Sequence, residues 1–217
     1  MFVRNYESTM FFSDFINQID HFQERSLGGL NSHFKLAPEI RKKYSEEMIL
    51  DKKPRRAAVL ALFFPDENNH TKFLLTQRAS YKGTHSAQIS FPGGKYDLND
   101  FDLKETALRE TDEEVGVSNE KVNVIRRLSD TYIPPSNFLV APFMGYLDFK
   151  PLFNPNYEVA KIIEVSLDDL LDESNLVYTS LSTSYMDDIE VPSFNLNNYT
   201  VWGATAMMLS EIKDLIK

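Results

Sequence analysis

The sequence predicts an α/β fold of the α+β kind, a mixed β-sheet sandwiched between helices, and three observations lead there. Strand-like runs alternate with a few helical ones along the chain. One run, Arg56–Phe64, is so apolar that it reads as a strand buried inside the molecule. Two segments, about Asp102 to Val115 and the stretch after Trp202, carry apolar residues at helical spacing.

Taken in order, Phe12, Phe15, Ile16, Ile19 and Phe22 mark an N-terminal amphipathic helix, with Ser13 and Asp14 as candidate caps, ending before Gly28-Gly29. Residues 30–54 carry mixed charge, Pro38 and Pro54, and little periodicity. They are expected to form an arm over the domain rather than a partner-binding segment, because apolar helix faces usually bury in their own fold. The expected organisation is an N-terminal helix and arm over 1–54 and one main domain over 55–217.

In that domain Arg56–Phe64 stops at Pro65 and the polar turn Asp66–His70, and Lys72–Thr76 is the return strand. Gln88–Phe91 is a short strand before Pro92-Gly93-Gly94. A helix follows, closed by Gly116 as its C-cap. Further strands are expected at Val122–Leu128, Phe138–Phe149, Ala160–Val165 and Leu176–Tyr185, with Ser166 capping a short helix, Leu167–Leu171. The terminal helix buries Met207, Met208, Ile212, Leu215 and Ile216.

Composition narrows the function. Hydrophobic residues are 42% and charged residues 25% of 217, ordinary for a globular chain that buries a core. The 32 acids and 23 bases leave a net charge of −9, which argues against a broad nucleic-acid groove. The absence of cysteine excludes disulfides, thiolate–zinc sites and a thiol nucleophile. The longest apolar run, Ala57 to Phe64, is 8 residues, far short of the roughly 20 a membrane helix needs. Asp14, Asn17 and Asp20 break any secretory pattern, so a cytoplasmic location without membrane partners is expected.

The chemistry concentrates in Arg109-Glu110-Thr111-Asp112-Glu113-Glu114-Val115-Gly116-Val117. Glu110, Glu113 and Glu114 share a helical sector of about 100°. Such crowding costs a few tenths of a kcal/mol per pair unless something neutralises it. A hard divalent cation with oxygen ligands does so, and Mg²⁺ also shares its shell with substrate phosphates. Leu103, Ala107, Leu108, Thr111 and Val115 face the other way for packing, which gives the carboxylates a fixed direction. Arg109 stands four residues before Glu113, placed to pair with it or to steady the cluster.

With Gly93-Gly94 upstream, this segment resembles the Nudix box, Gx5Ex7REUxEExGU. Gly94 to Arg109 is one residue longer than the standard box. The first Glu position falls on Asp100 counted forward and on Phe101 counted back; Asp102, seven residues before Arg109, is a further candidate for the acid that pairs with the box arginine. Just before it, Leu74-Leu75-Thr76-Gln77-Arg78-Ala79 and Phe91-Pro92-Gly93-Gly94 resemble the signature of the coenzyme A pyrophosphatase branch, LLTxR(S/A)x3Rx3Gx3FPGG. Gly83 stands where that signature has Arg, with Lys82 adjacent, and Ala87 where it has Gly. Trp202–Ala206 adds a weaker likeness.

The resemblance implies a Nudix-like α-β-α sandwich and metal-dependent hydrolysis of the diphosphate of coenzyme A or a derivative, giving 3′,5′-ADP and 4′-phosphopantetheine. Mg²⁺ or Mn²⁺ is expected on Glu110, Glu114 and Glu113 with the Gly94 carbonyl. The base is a box glutamate, with Glu113 a candidate, or an acid from a facing loop, for which Glu158 is the candidate; Arg109 supports the catalytic set. Arg78 is the first candidate for the 3′-phosphate, with Lys82 and Arg56 behind it, and Gln88 is a candidate adenine contact. The rival substrates are ADP-ribose, NADH and dinucleoside polyphosphates; a non-catalytic nucleotide-binding module is the rival of another class. The N-terminal region leaves room for a homodimer contact.

Overall fold

The computed structural model describes residues 10–39, 41–79, 88–183 and 186–217, with backbone alone at 46, 182, 183, 186 and 187. The N-terminal segment holds α1 (Phe12–Asn17), α2 (Ile19–Glu24), α3 (Leu30–His33) and α4 (Glu46–Asp51). Then come β1 (Arg55–Pro65), β2 (Thr71–Arg78), β3 (Ile89–Ser90), β4 (Gly93–Lys95) and α5 (Leu103–Val115). These lead to β5 (Asn123–Arg127), β6 (Thr131–Ile133), β7 (Phe138–Tyr146), β8 (Val159–Ser166) and α6 (Leu167–Leu171). The chain closes with β9 (Leu176–Thr183), β10 (Met186–Leu196), β11 (Tyr199–Trp202) and α7 (Gly203–Ile216).

Among the described residues the strands make an eight-stranded mixed sheet with the path β3-β2-β1-β7-β5, to which β8 adds on β2, β4 on β1 and β6 on β7. Strand β1 is its spine, parallel to β7 from Arg55 opposite Phe138 to Phe63 opposite Tyr146. Its side chains alternate between two cores, as a strand covered on both faces must. Ala57, Ala61 and Phe63 join one core with Phe73, Val140 and α7, while Ala58, Leu60, Leu62 and Phe64 join the other with Leu74, Ala107 and Val115. Helix α5 therefore covers one face and α7 the other. Strands β9, β10 and β11 form a separate antiparallel sheet, whose Phe194, Leu196 and Val201 pack into the α7 core.

Several sequence expectations need correction. The N-terminal helix is two helices, because Gln18 leaves helical geometry at φ −99° and ψ 0°. Neither Ser13 nor Asp14 caps it: Phe11 holds the N-cap position, and the Phe12 N–H donates to the Asn69 carbonyl at 2.8 Å. A tertiary partner thus satisfies a group that a capping side chain otherwise serves. Ser166 precedes α6 without a side-chain capping bond. Strand β7 ends at Tyr146 instead of Phe149, at the residue opposite Asn123 where its pairing with β5 begins. The short or polar strands β4, β6, β10 and β11 lack the periodicity that marks the longer ones.

Phe12, Phe15, Phe22 and Leu36 lie in the same core as α7, with the Phe15 ring stacked 4.8 Å from that of Phe63. Polar bonds tie α3 to α7. Buried Glu211 accepts from the Gly29 N–H at 2.7 Å, the Ser129 hydroxyl at 2.7 Å and the Ser129 N–H at 2.9 Å. His33 Nε2 stands 3.7 Å away, an ion-pair distance rather than a hydrogen bond. Burial alone pushes the Glu211 carboxyl up, but the nearby His33 and the Ser129 and Gly29 donors outweigh it and hold it down at about 2.

A carboxyl held below its unfolded value stabilises the fold fully above about pH 4.5, and that contribution disappears as the pH falls toward 2. It amounts to about 3 kcal/mol. Urea unfolding of the wild type and Glu211→Gln should therefore show a large stability gap at pH 6 that narrows steadily below pH 4.5. A gap independent of pH would contradict this.

Candidate active site

The site begins with two glycines on β4. Gly93 has φ +146°, and a Cβ there would stand 2.3 Å from the Ala58 carbonyl oxygen, so only glycine lets β4 lie against β1. At Gly94 a Cβ would stand 2.4 Å from the Glu110 carboxylate, so the missing side chain is the room that Glu110 occupies. The Gly93 N–H donates to Glu114 Oε2 at 3.1 Å. Backbone and helix thus meet directly.

Helix α5 presents those carboxylates because both of its ends are fixed. Asp102 is the N-cap and accepts from the Glu105 N–H at 2.9 Å. Gly116 closes the helix in the left-handed region at φ +74°. The loop before β8 then docks on the last turn, with the Asn154 N–H donating to the Val115 carbonyl at 2.8 Å and the Asn156 N–H to the Glu114 carbonyl at 3.0 Å. That docking carries Glu158 to the α5 carboxylates, where Arg78 Nη2 donates to it at 3.0 Å and Arg78 Nη1 stands 3.7 Å from Glu114.

Glu110, Glu114, Glu158, Arg78, Gln88 and Gly94 line one cavity of about 530 Å³. Burial pushes the Glu114 carboxyl up to about 7, and the charges of Glu110 and Glu158 add to this against the Gly93 N–H and Arg78. Burial also raises Glu110, offset in part by Arg109. The far wall is apolar, with Ile133, Pro134, Phe138, Val140 and Trp202. Trp202 leads into α7, whose Thr205 hydroxyl bonds the Ile89 carbonyl at 3.0 Å and ties that wall to β3.

Not every predicted residue reaches the cavity. Glu113 is 57% exposed, off the cavity wall, and receives Arg109 Nη1 at 3.2 Å. Arg109 lies behind the wall, 3.0 Å from Glu110. Arg56 pairs with Asp130 at 3.2 Å and does not line the cavity. Lys82, with Gly83 and Ala87, falls outside the described residues. The partner of the box arginine is Asp100 rather than Asp102: Arg109 Nε donates to it at 2.8 Å and Nη2 at 3.1 Å, while Asp102 is committed to the cap. The Arg109 bonds hold the Asp100 carboxyl at about 2 in spite of its burial. Forward counting along the motif pointed to Asp100; helical spacing alone pointed to Asp102.

The oxygen donors fit a hard cation, although among the described residues no three His, Cys, Asp or Glu side chains are placed to hold an ion by themselves. Glu110 and Glu114 are carboxylate donors of the kind that hold Mg²⁺ together with substrate phosphates. The division of labour between the two aspartates is testable. Asp102→Ala should cost about 1 kcal/mol of stability through the lost cap. Asp100→Asn should lower any hydrolytic turnover roughly tenfold or more by loosening Arg109. A greater loss of turnover in the Asp102 variant would reverse the assignment.

Comparison with known proteins agrees with this geometry. Residues 54–178 match the NUDIX domain family. Nudix hydrolase 15, mitochondrial, of Arabidopsis thaliana is 32% identical over 166 residues, covering 72% of this chain and 57% of that protein. The chain therefore spans little more than half the length of that relative. Nudix hydrolase NudL of Photorhabdus laumondii is 32% identical over 145 residues, 66% of this chain and 76% of its own. Two solved structures share the fold. A Nudix hydrolase from M. smegmatis, RenU, has a TM-score of 0.54 at 16% identity, covering 75% of this chain and 86% of its own. A MutT/nudix family protein from Enterococcus faecalis has 0.51 at 15% identity, covering 93% and 74%. The glycine pair, the carboxylate helix and these likenesses lead to one conclusion: the chain belongs to the Nudix hydrolase family.

Proposed function

We propose that this chain is a metal-dependent pyrophosphohydrolase that cleaves the diphosphate of coenzyme A or its derivatives into 3′,5′-ADP and 4′-phosphopantetheine. The observation that carries the reading is that one cavity of about 530 Å³ joins the α5 carboxylates to an apolar wall. Its size suits a nucleotide-sized ligand. A substrate with a diphosphate between a nucleotide and an uncharged flexible arm fits both halves. The signature residues Leu74, Leu75, Thr76, Arg78, Ala79 and Phe91–Gly94 support the same branch.

Mg²⁺ or Mn²⁺ fits Glu110 and Glu114 with the Gly94 carbonyl, and when bound supplies charge neutralisation for the phosphates and acidification of water. The protein does the positioning. Asp100 and Glu113 hold Arg109, which steadies Glu110. Arg78 holds Glu158 toward Glu114, so we assign it to orienting Glu158, the group that accepts the proton of the attacking water. As the new P–O bond forms, the bridging P–O bond breaks, and the leaving half departs as a phosphate monoester.

Product analysis by mass spectrometry tests the reading. With Mg²⁺ or Mn²⁺, coenzyme A should yield 3′,5′-ADP and 4′-phosphopantetheine faster than ADP-ribose or NADH is cleaved, and a chelator should stop all three. Glu114→Gln should abolish turnover with the melting temperature preserved. Faster cleavage of ADP-ribose or NADH would redirect the substrate assignment. No turnover of any substrate by a folded, metal-binding protein would favour a binding module.

A further inference from the structure

We propose that the N-terminal arm completes the substrate pocket and that its Arg41 is a specificity residue, binding an anionic group of the substrate remote from the diphosphate. On the coenzyme A reading, on which this inference rests, that group is the ribose 3′-phosphate.

Pro38 and Arg41 line the same cavity as Glu110 and Glu114. The arm that carries them is pinned just before it arrives. Gly29 bonds Glu211, Ser32 bonds Asp214, and the Ser210 hydroxyl donates to the Ser32 carbonyl at 2.7 Å. Leu36 and Ala37 are then buried in the core region. The Arg41 N–H donates to the Pro38 carbonyl at 2.8 Å and opens a short 3₁₀ turn. Its Nη1 donates to the Tyr132 carbonyl and lies 3.4 Å from the Met207 sulfur. Tyr44, three residues on, sets its ring edge-on to Tyr132 with centroids 5.5 Å apart. These contacts hold the guanidinium against β6.

The sheet register gives the distance from the chemistry. Lys95 on β4 is opposite Ala57, Ala57 is opposite Val140, and Val140 is opposite Thr131 on β6. Three strand spacings of about 4.8 Å place β6 about 14 Å from β4. The carboxylates of α5 gather at the Gly94 end of that row, and Arg41 sits at the other. Ala57, Phe138 and Val140 supply apolar lining along that row. At the carboxylate end Arg78 stands against Glu158 and Glu114. A guanidinium on the opposite wall suits a phosphate, the anion that its planar, permanently charged group matches.

The experiment measures kcat and KM of the full chain for coenzyme A, dephospho-coenzyme A and ADP-ribose, in the wild type, Arg41→Gln and Arg41→Lys. The wild type should prefer coenzyme A over the dephospho form. Arg41→Gln should shrink that preference roughly ten- to a hundredfold, chiefly through KM, and Arg41→Lys should restore part of it. Equal losses on both forms, the result of a merely structural arginine, would overturn the assignment and leave the coenzyme A reading standing. A wild type that does not distinguish the two forms would overturn it as well. A wild type that cleaves ADP-ribose and leaves coenzyme A intact would overturn the reading and the inference together.

Discussion

The site depends on the contact between two side-chain-free backbone units and one helix face. Gly93 allows β4 to press against β1, and Gly94 leaves the space into which Glu110 reaches. The Gly93 N–H bonds Glu114, so strand and carboxylate are fixed to each other instead of being fixed separately. Everything functional is then measured from a rigid origin: α5 stands on the apolar layer of Ala58, Leu60 and Leu62, and the loop bearing Glu158 is tied to its last turn. A site built on elements whose own positions are over-determined holds its geometry better than one built on free loops.

Concentrated negative charge needs an internal answer, because buried like charges repel and lose hydration. The protein answers with two arginines in different places. Arg109 stands behind the wall and binds Asp100, Glu110 and Glu113 at once, so Glu113 serves as one arm of a clamp. Arg78 stands in the cavity between Glu158 and Glu114. What these two leave uncompensated is visible at Glu114, whose burial and acidic neighbours hold its carboxyl near 7. On the proposed reading that excess is the attraction for a divalent cation and the phosphates it brings.

Much of this was legible in the residues. The Arg56–Phe64 run, the Asp102 and Gly116 ends of α5 and the pairing of Arg109 with Glu113 rest on local rules, and local rules can be read from one chain. Glu158 stands just before a strand in the sequence, and the fold places it on the cavity wall. Arg56 and Arg41 mark the boundary of such reading. Arg56 lies in β1 and Arg41 in the arm before α4; Asp130 takes the first aside, while the Tyr132 carbonyl holds the second at the cavity wall. No periodicity encodes that difference. The apolar wall was equally hidden, because Ile133, Val140 and Trp202 come from three strands that only the tertiary fold assembles.

The central claim, that the α5 carboxylates hold a divalent cation jointly with a diphosphate, is tested most directly by Mn²⁺ binding followed by electron paramagnetic resonance, with and without a non-hydrolysable diphosphate. The wild type should bind Mn²⁺ more tightly when the diphosphate is present, and the Glu110→Gln/Glu114→Gln double variant should lose that binding while keeping its melting temperature. Undiminished Mn²⁺ binding in the double variant would contradict the account.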